Sequence, residues 1–329
     1  MNSSKQNQNT NLHKALIFLA GSTLFLAIIQ VTLGAIVRVT DSGLACPDWP
    51  LCHGKLVPEF DFNILLEYTH RLSASLLMLT IFSTTFITYK ILRHNKIAIF
   101  AITAASITVI CAAIFGGITV LSKLDWWSVP SHLALAEILI LFLAILNTAI
   151  WFGDFDENSI WKNLHIKHRI MLSTTLFSIF MLIIYAAIMV AKGYGSSCGT
   201  WPLCNGELIP TRMPMIINAS HRFLSLIVLG LLFHSLIRIP SGKSKMKMFF
   251  IIAIAIYLIQ ILVGWEIISR DFSATLKSIH LVLATGIWIS FSLAIGTSLT
   301  QKINISNKIN TVHESINILN KINTVLGNQ

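Results

Sequence analysis

Eight long apolar runs dominate this chain, near residues 15–37, 64–89, 97–121, 130–152, 170–191, 216–237, 248–268 and 276–299. A helix needs about 20 consecutive apolar residues to cross a hydrocarbon core, and lipid offers no water to backbone amides, so a spanning segment must satisfy its own hydrogen bonds. The expected fold is therefore an all-α integral membrane protein with eight transmembrane helices. The charge content agrees: 12% of residues are charged, about half the share found in soluble domains. A polar segment rich in Asn and Gln precedes the first run, and no small-residue cleavage site comes before Arg38. That run reads as a retained helix rather than a signal peptide, which puts both termini on one side.

The net charge of +10 would suggest nucleic acid in a soluble protein, but across lipid its distribution over the loops matters more. Fifteen of the 24 Lys and Arg residues fall on the side of the termini. Nine fall on the other, and two of those, Arg71 and Arg222, lie inside apolar runs, leaving a loop bias of 15 to 7. This bias predicts cytoplasmic termini and gives no reason to expect a nucleic-acid partner.

On the outward side the segment CPDWPLCHG, Cys46 to Gly54, returns 152 positions later as CGTWPLCNG, Cys198 to Gly206. Outward cysteines meet an oxidising compartment, so Cys46–Cys52 and Cys198–Cys204 can each close. Either pair is a structural clip or a dithiol that exchanges electrons during turnover; the clip needs fewer assumptions. Spacing and partners fit zinc poorly. Cys111 reads as a small core residue.

Aligning the two loops also pairs Gly43 with Gly195 and Pro58 with Pro210, so the chain reads as two tandem-repeated four-helix bundles. The second helix of each half carries a His-Arg step, His70-Arg71 and His221-Arg222, and the fourth begins near His132 in HLALAE and His280 in HLVLAT. A single intramembrane histidine is commonly a satisfied contact between helices. Four at equivalent places, in two pairs near the outward ends, form the arrangement that ligates haem iron between helices of a bundle. His13, His94, His165, His168 and His313 lie in cytoplasmic segments without repeat counterparts and read as surface residues, while His53 and His234 fall outside the fourfold pattern. Arg71 and Arg222 are either snorkelling cations or partners for a haem propionate, the latter preferred.

The halves differ at one chemically important place. Glu67 stands three residues before His70, on its helix face, where Asn218 precedes His221. A carboxylate at lipid depth suggests function; the plain alternative is an interfacial glutamate. Glu137 and Glu266 have neither a repeat partner nor a helical register with the histidines.

Together RVTDSGLACPDWPLCHG, EYTHR, HLALAE, CGTWPLCNG, ASHR and HLVLAT resemble the haem A synthase family, over roughly Gln30 to Trp288. The resemblance implies a bacterial cytoplasmic-membrane oxidoreductase of cytochrome oxidase assembly, converting the C8 methyl of haem O to a formyl group by two successive hydroxylations. It further implies that His221 and His280 hold a resident haem b, that His70 and His132 ligate the substrate haem O, and that Glu67 acts in the oxidation by proton delivery or charge stabilisation. Electrons must come from an external donor, and haem O synthase is a candidate partner. The implied organisation is a cytoplasmic segment at 1–14, a substrate half at 15–152, a cytoplasmic linker at 153–169, a haem b half at 170–299 and a cytoplasmic tail at 300–329. The tail carries a helical apolar stripe at 305, 309, 312, 316, 319, 322 and 326, open to a surface helix, a partner contact or disorder. Two rival functions use the same histidines: a dihaem b-type cytochrome that only passes electrons, and a haem transport or assembly protein.

Overall fold

A computed structural model of the chain describes residues 2–153, 160–239 and 244–300. The tail with its apolar stripe, and part of the linker, lie outside the described residues. The helices are α1 (Asn2–Val39), α2 (Phe62–Ile91), α3 (Lys96–Leu121), α4 (Ser128–Phe152), α5 (Ile160–Asn163), α6 (Ile166–Ala191), α7 (Met213–Ile237), α8 (Ser244–Ser269) and α9 (Ala274–Thr300). Among the described residues, all but the single turn of α5 are long and apolar enough to span a membrane, and there is no strand. The protein is an all-α, multi-pass membrane protein.

Local chemistry fixes where several helices begin and end. The Asp61 carboxylate accepts the Asn63 and Ile64 amides at the start of α2, and the Asn95 side chain accepts the Ala98 amide at the start of α3. Each supplies an acceptor to amides that have no partner within the helix. Gly153 ends α4 at φ 93°, a conformation that favours glycine.

Helix α2 packs on α1 and α3, α3 on α4, α7 on α6 and α8, and α8 on α9, while α4 and α9 lie against each other at the centre. These two are the most enclosed spans. In addition α1 reaches α9 and α6 reaches α4. Lipid tails are as apolar as leucine, so close packing and interhelical hydrogen bonds hold such a bundle. At the α4–α9 seam the Thr285 hydroxyl donates to Glu137 Oε1 at 2.7 Å, Trp288 Nε1 donates to the Glu137 carbonyl at 2.7 Å, and Thr148 packs directly on Gly296. Asn147, fully buried in α4, donates to the Ala20 carbonyl of α1 at 3.0 Å. Large side chains such as Phe18, Phe86 and Leu79 point outward, as expected of a lipid-facing surface.

Candidate functional site

His70 lies in α2, His132 in α4, His221 in α7 and His280 in α9, all half-buried. His70 and His132 are close enough to interact electrostatically, and so are His221 and His280. Three of the rings lie edge-on against a glycine of the adjacent helix. A Cβ added at Gly34 would meet His70 Cε1 at 3.1 Å, and one at Gly116 or Gly264 would meet Cε1 of His132 or His280 at 3.3 Å. His221 instead stacks on Tyr185, with ring centroids 6.5 Å apart and planes at 15°; Tyr185 is fixed by hydrogen bonds to Ser220 and the Ile217 carbonyl.

Nδ1 of His132, His221 and His280 is buried with no hydrogen-bond partner. A desolvated nitrogen left unpaired costs about 1–3 kcal/mol. Rings packed by glycine or tyrosine and carrying an unused nitrogen fit the donor set of a haem held between helices. Among the described residues no three metal-ligating side chains cluster.

Both disulfides are formed, Cys46–Cys52 and Cys198–Cys204, and Cys111 is free. Beneath each loop an arginine gathers backbone carbonyls. Arg71 Nη1 donates to Asp48 O at 2.6 Å and Leu51 O at 2.5 Å, and Nη2 donates to Cys46 O at 2.8 Å. Arg222 does the same 152 residues along the loop, with Thr200 O at 2.6 Å, Leu203 O at 3.5 Å and Cys198 O at 3.1 Å. Trp49 of the first loop packs on Gly117, directly after the glycine beneath His132; Trp265 follows Gly264 in α8.

The carboxylate of Glu67, 3% exposed, is held from both sides. Oε1 accepts from Arg71 Nη2 at 2.5 Å and Oε2 accepts from the Cys46 amide at 2.7 Å. Asn218 stands at the matching place in α7 with its polarity reversed. Its amide nitrogen donates to Tyr194 O at 3.2 Å and Gly195 O at 2.9 Å, while its oxygen accepts from Arg222 Nε at 3.2 Å. Glu137 sits apart from the histidine pairs at the α4–α9 seam, and Glu266 forms an exposed pair with Arg270. His53 bonds Ala45 O at 2.9 Å inside the first loop.

Sequence reasoning missed Gln30. Its amide nitrogen lies 3.1 Å from Nδ1 and 3.3 Å from Nε2 of His70, and 3.1 Å from the His70 carbonyl. A glutamine in the middle of an apolar run, four residues before a glycine, was the available signal.

The architecture defines a multi-pass membrane protein that presents two histidine pairs beneath two disulfide-closed loops. The chain belongs to the COX15-CtaA family of cytochrome oxidase assembly proteins, whose pattern it matches over residues 17–61 and 57–292. It is similar to the Heme A synthase of Bacillus pumilus, with 24% identity over 305 residues, covering 89% of this chain and 91% of the relative. The Heme A synthase of an Exiguobacterium species is 26% identical over 283 residues, 84% of each chain, and that of Staphylococcus carnosus is 24% identical over 272 residues, 80% of this chain and 87% of the relative.

Proposed function

We propose that this protein is a haem A synthase, oxidising the C8 methyl of haem O to the formyl group of haem A. Family membership and the relatives' names support a place in haem A biosynthesis. The observation that carries the assignment of roles is the buried Glu67 carboxylate, one helical turn from His70, where the other half has the amide of Asn218.

On this reading His70 and His132 ligate the substrate and Glu67 serves its oxidation, while His221 and His280 hold a resident haem b. Bound there, haem b supplies electron transfer from an external donor. Each hydroxylation consumes one O2, two electrons and two protons and releases one water; the second gives a geminal diol that loses water to form the aldehyde. The rest falls to the chain's own groups. Arg71 and the Cys46 amide fix the Glu67 carboxylate, so its charge and proton-accepting oxygens occupy one place before substrate arrives. The glycines at 34, 116 and 264 let the imidazoles lie flush with neighbouring helices. The charge bias of the loops supports an orientation with both disulfide loops outside and both termini in the cytoplasm.

The test is pigment analysis of membranes in which the full chain is produced together with a source of haem O. Haem A, identified by mass, is the expected product. Its absence, with both haems bound and unmodified, would identify an electron-transfer cytochrome instead.

A further inference from the structure

His70 is held differently from the other three histidines. Its Cε1 edge is turned into α1, between Gln30 and Gly34, which lie one turn apart on one face. The Gln30 amide nitrogen is within hydrogen-bonding distance of both ring nitrogens, 3.1 and 3.3 Å away. The amide is itself aimed by Ser73, whose hydroxyl donates to Gln30 Oε1 and to the His70 carbonyl. None of these three supports recurs around His221. The matching positions are Leu182, Ala186 and Leu224, and His221 is left with a buried, unpaired Nδ1.

This difference bears on a constraint of the proposed reaction. An iron held by two histidines has no open position, so one ligand of the substrate must be able to leave. His132, whose Nδ1 is unpaired, is presented for ligation. An imidazole that leaves iron at lipid depth with nowhere to go would expose a bare polar nitrogen to an apolar surrounding, at a cost of about 1–3 kcal/mol. Gln30 removes that cost for His70, whereas Nδ1 of His132 has no such partner. We propose that Gln30 is a positioning residue that captures His70 away from the substrate iron, making His70 the exchangeable ligand of the first pocket and His132 the permanent one. This inference rests on the reading of His70 and His132 as ligands of haem O.

The test uses the full-length protein loaded with haem O and reduced, with carbon monoxide as a probe of ligand exchange. A haem locked between two histidines excludes carbon monoxide, so the second pocket stays silent. In the wild type the haem O should bind it. Gln30→Leu, which installs the residue found at 182, should slow that binding about tenfold, the equivalent of one hydrogen bond worth near 1.4 kcal/mol, and raise the low-spin fraction of haem O. Ser73→Ala, which only frees the amide, should shift both in the same direction by less. Haem b content should not change in either variant. Unaltered carbon monoxide kinetics and spin state in a loaded Gln30→Leu protein would overturn the proposal. Should Gln30→Leu not accumulate, the same null result in Ser73→Ala and Gln30→Asn would overturn it equally. Failure of the synthase reading appears separately, as wild-type protein that binds haem O and never yields haem A.

Discussion

Arg71 and Glu67 form a buried ion pair one turn apart on α2, Nη2 to Oε1 at 2.5 Å, with side-chain exposures of 14% and 4%. The same guanidinium ties down three carbonyls of the first cysteine loop. Removing it leaves a carboxylate enclosed without its counter-charge, a change that costs roughly 3–5 kcal/mol. Removing Arg222 leaves only the neutral Asn218 and loop carbonyls short of a donor, roughly 1–3 kcal/mol. Thermal unfolding in detergent should therefore rank Arg71→Ala well below Arg222→Ala. Equal losses would mean the carboxylate contributes nothing to this difference.

Glu67→Gln keeps size and an acceptor for the Cys46 amide while removing the charge. The variant should retain haem b and bind haem O, yet form haem A at least ~100-fold more slowly, about 2.7 kcal/mol of transition-state stabilisation. Extracted pigments locate the block: accumulated haem O at the first oxidation, accumulated alcohol at the second. Near-normal haem A would reduce Glu67 to a loop anchor.

Gly264→Ala would bring a methyl to 3.3 Å from His280 Cε1, closer than most side-chain contacts. The imidazole must shift by a few tenths of an ångström, and haem b content by pyridine haemochrome should fall several-fold, roughly the effect of 1 kcal/mol. Gly286→Ala on α9 is the control. Its Cβ would meet Ile256 at an ordinary 3.6 Å, and haem content should not change.

Acid should loosen the first cysteine loop and spare the second. Asp48 accepts the His53 amide at 2.6 Å and the Gly54 amide at 2.8 Å, and the Gly54 bond, ahead of the His53 bond, holds its carboxyl below the usual carboxylate range. Because the folded pKa is depressed, this support is complete above the usual range and is lost as pH falls through the lower folded value. In the second loop the Thr200 hydroxyl accepts the Gly206 amide instead and does not titrate. Hydrogen-exchange protection at His53 and Gly54 should show a step below the usual carboxylate range. That step should vanish in Asp48→Asn and be absent at Gly206.

The spans were legible because lipid imposes one simple demand on a chain, and each apolar run lies within a few residues of its helix; α1 alone extends well beyond, back to Asn2. The cysteine pairing was legible from short spacing within a loop. The histidine pairs were legible because four like residues at repeated places share one cause. The arginines were not, since a side chain that binds backbone carbonyls leaves no mark on the residues it binds: Asp48 and Thr200 share nothing but a main chain. Sequence reasoning pointed Arg71 and Arg222 toward a propionate; the structure adds loop carbonyls as partners of both, and Glu67 as a further partner of Arg71. Gln30 was hidden for a related reason, as its partner lies 40 residues away on another helix. Glu137 was set aside because it has no register with His132. Its partner lies on α9.

That partner is Thr285, and the distance between them in the chain is 148 residues, the spacing that separates His132 from His280. Thr148 and Gly296, which also touch, have the same spacing. Where equivalent positions of two like units meet, each residue faces its own copy, as on the axis of a symmetric dimer. Two identical half-chains joined along this seam would set glutamate against glutamate in a dry contact, and threonine against threonine where there is room only for a hydrogen atom. A continuous chain escapes that rule, because its two copies can be spelled differently. At this seam the covalent link grants the freedom to be unequal, and a carboxyl group inside the membrane is what that freedom permits.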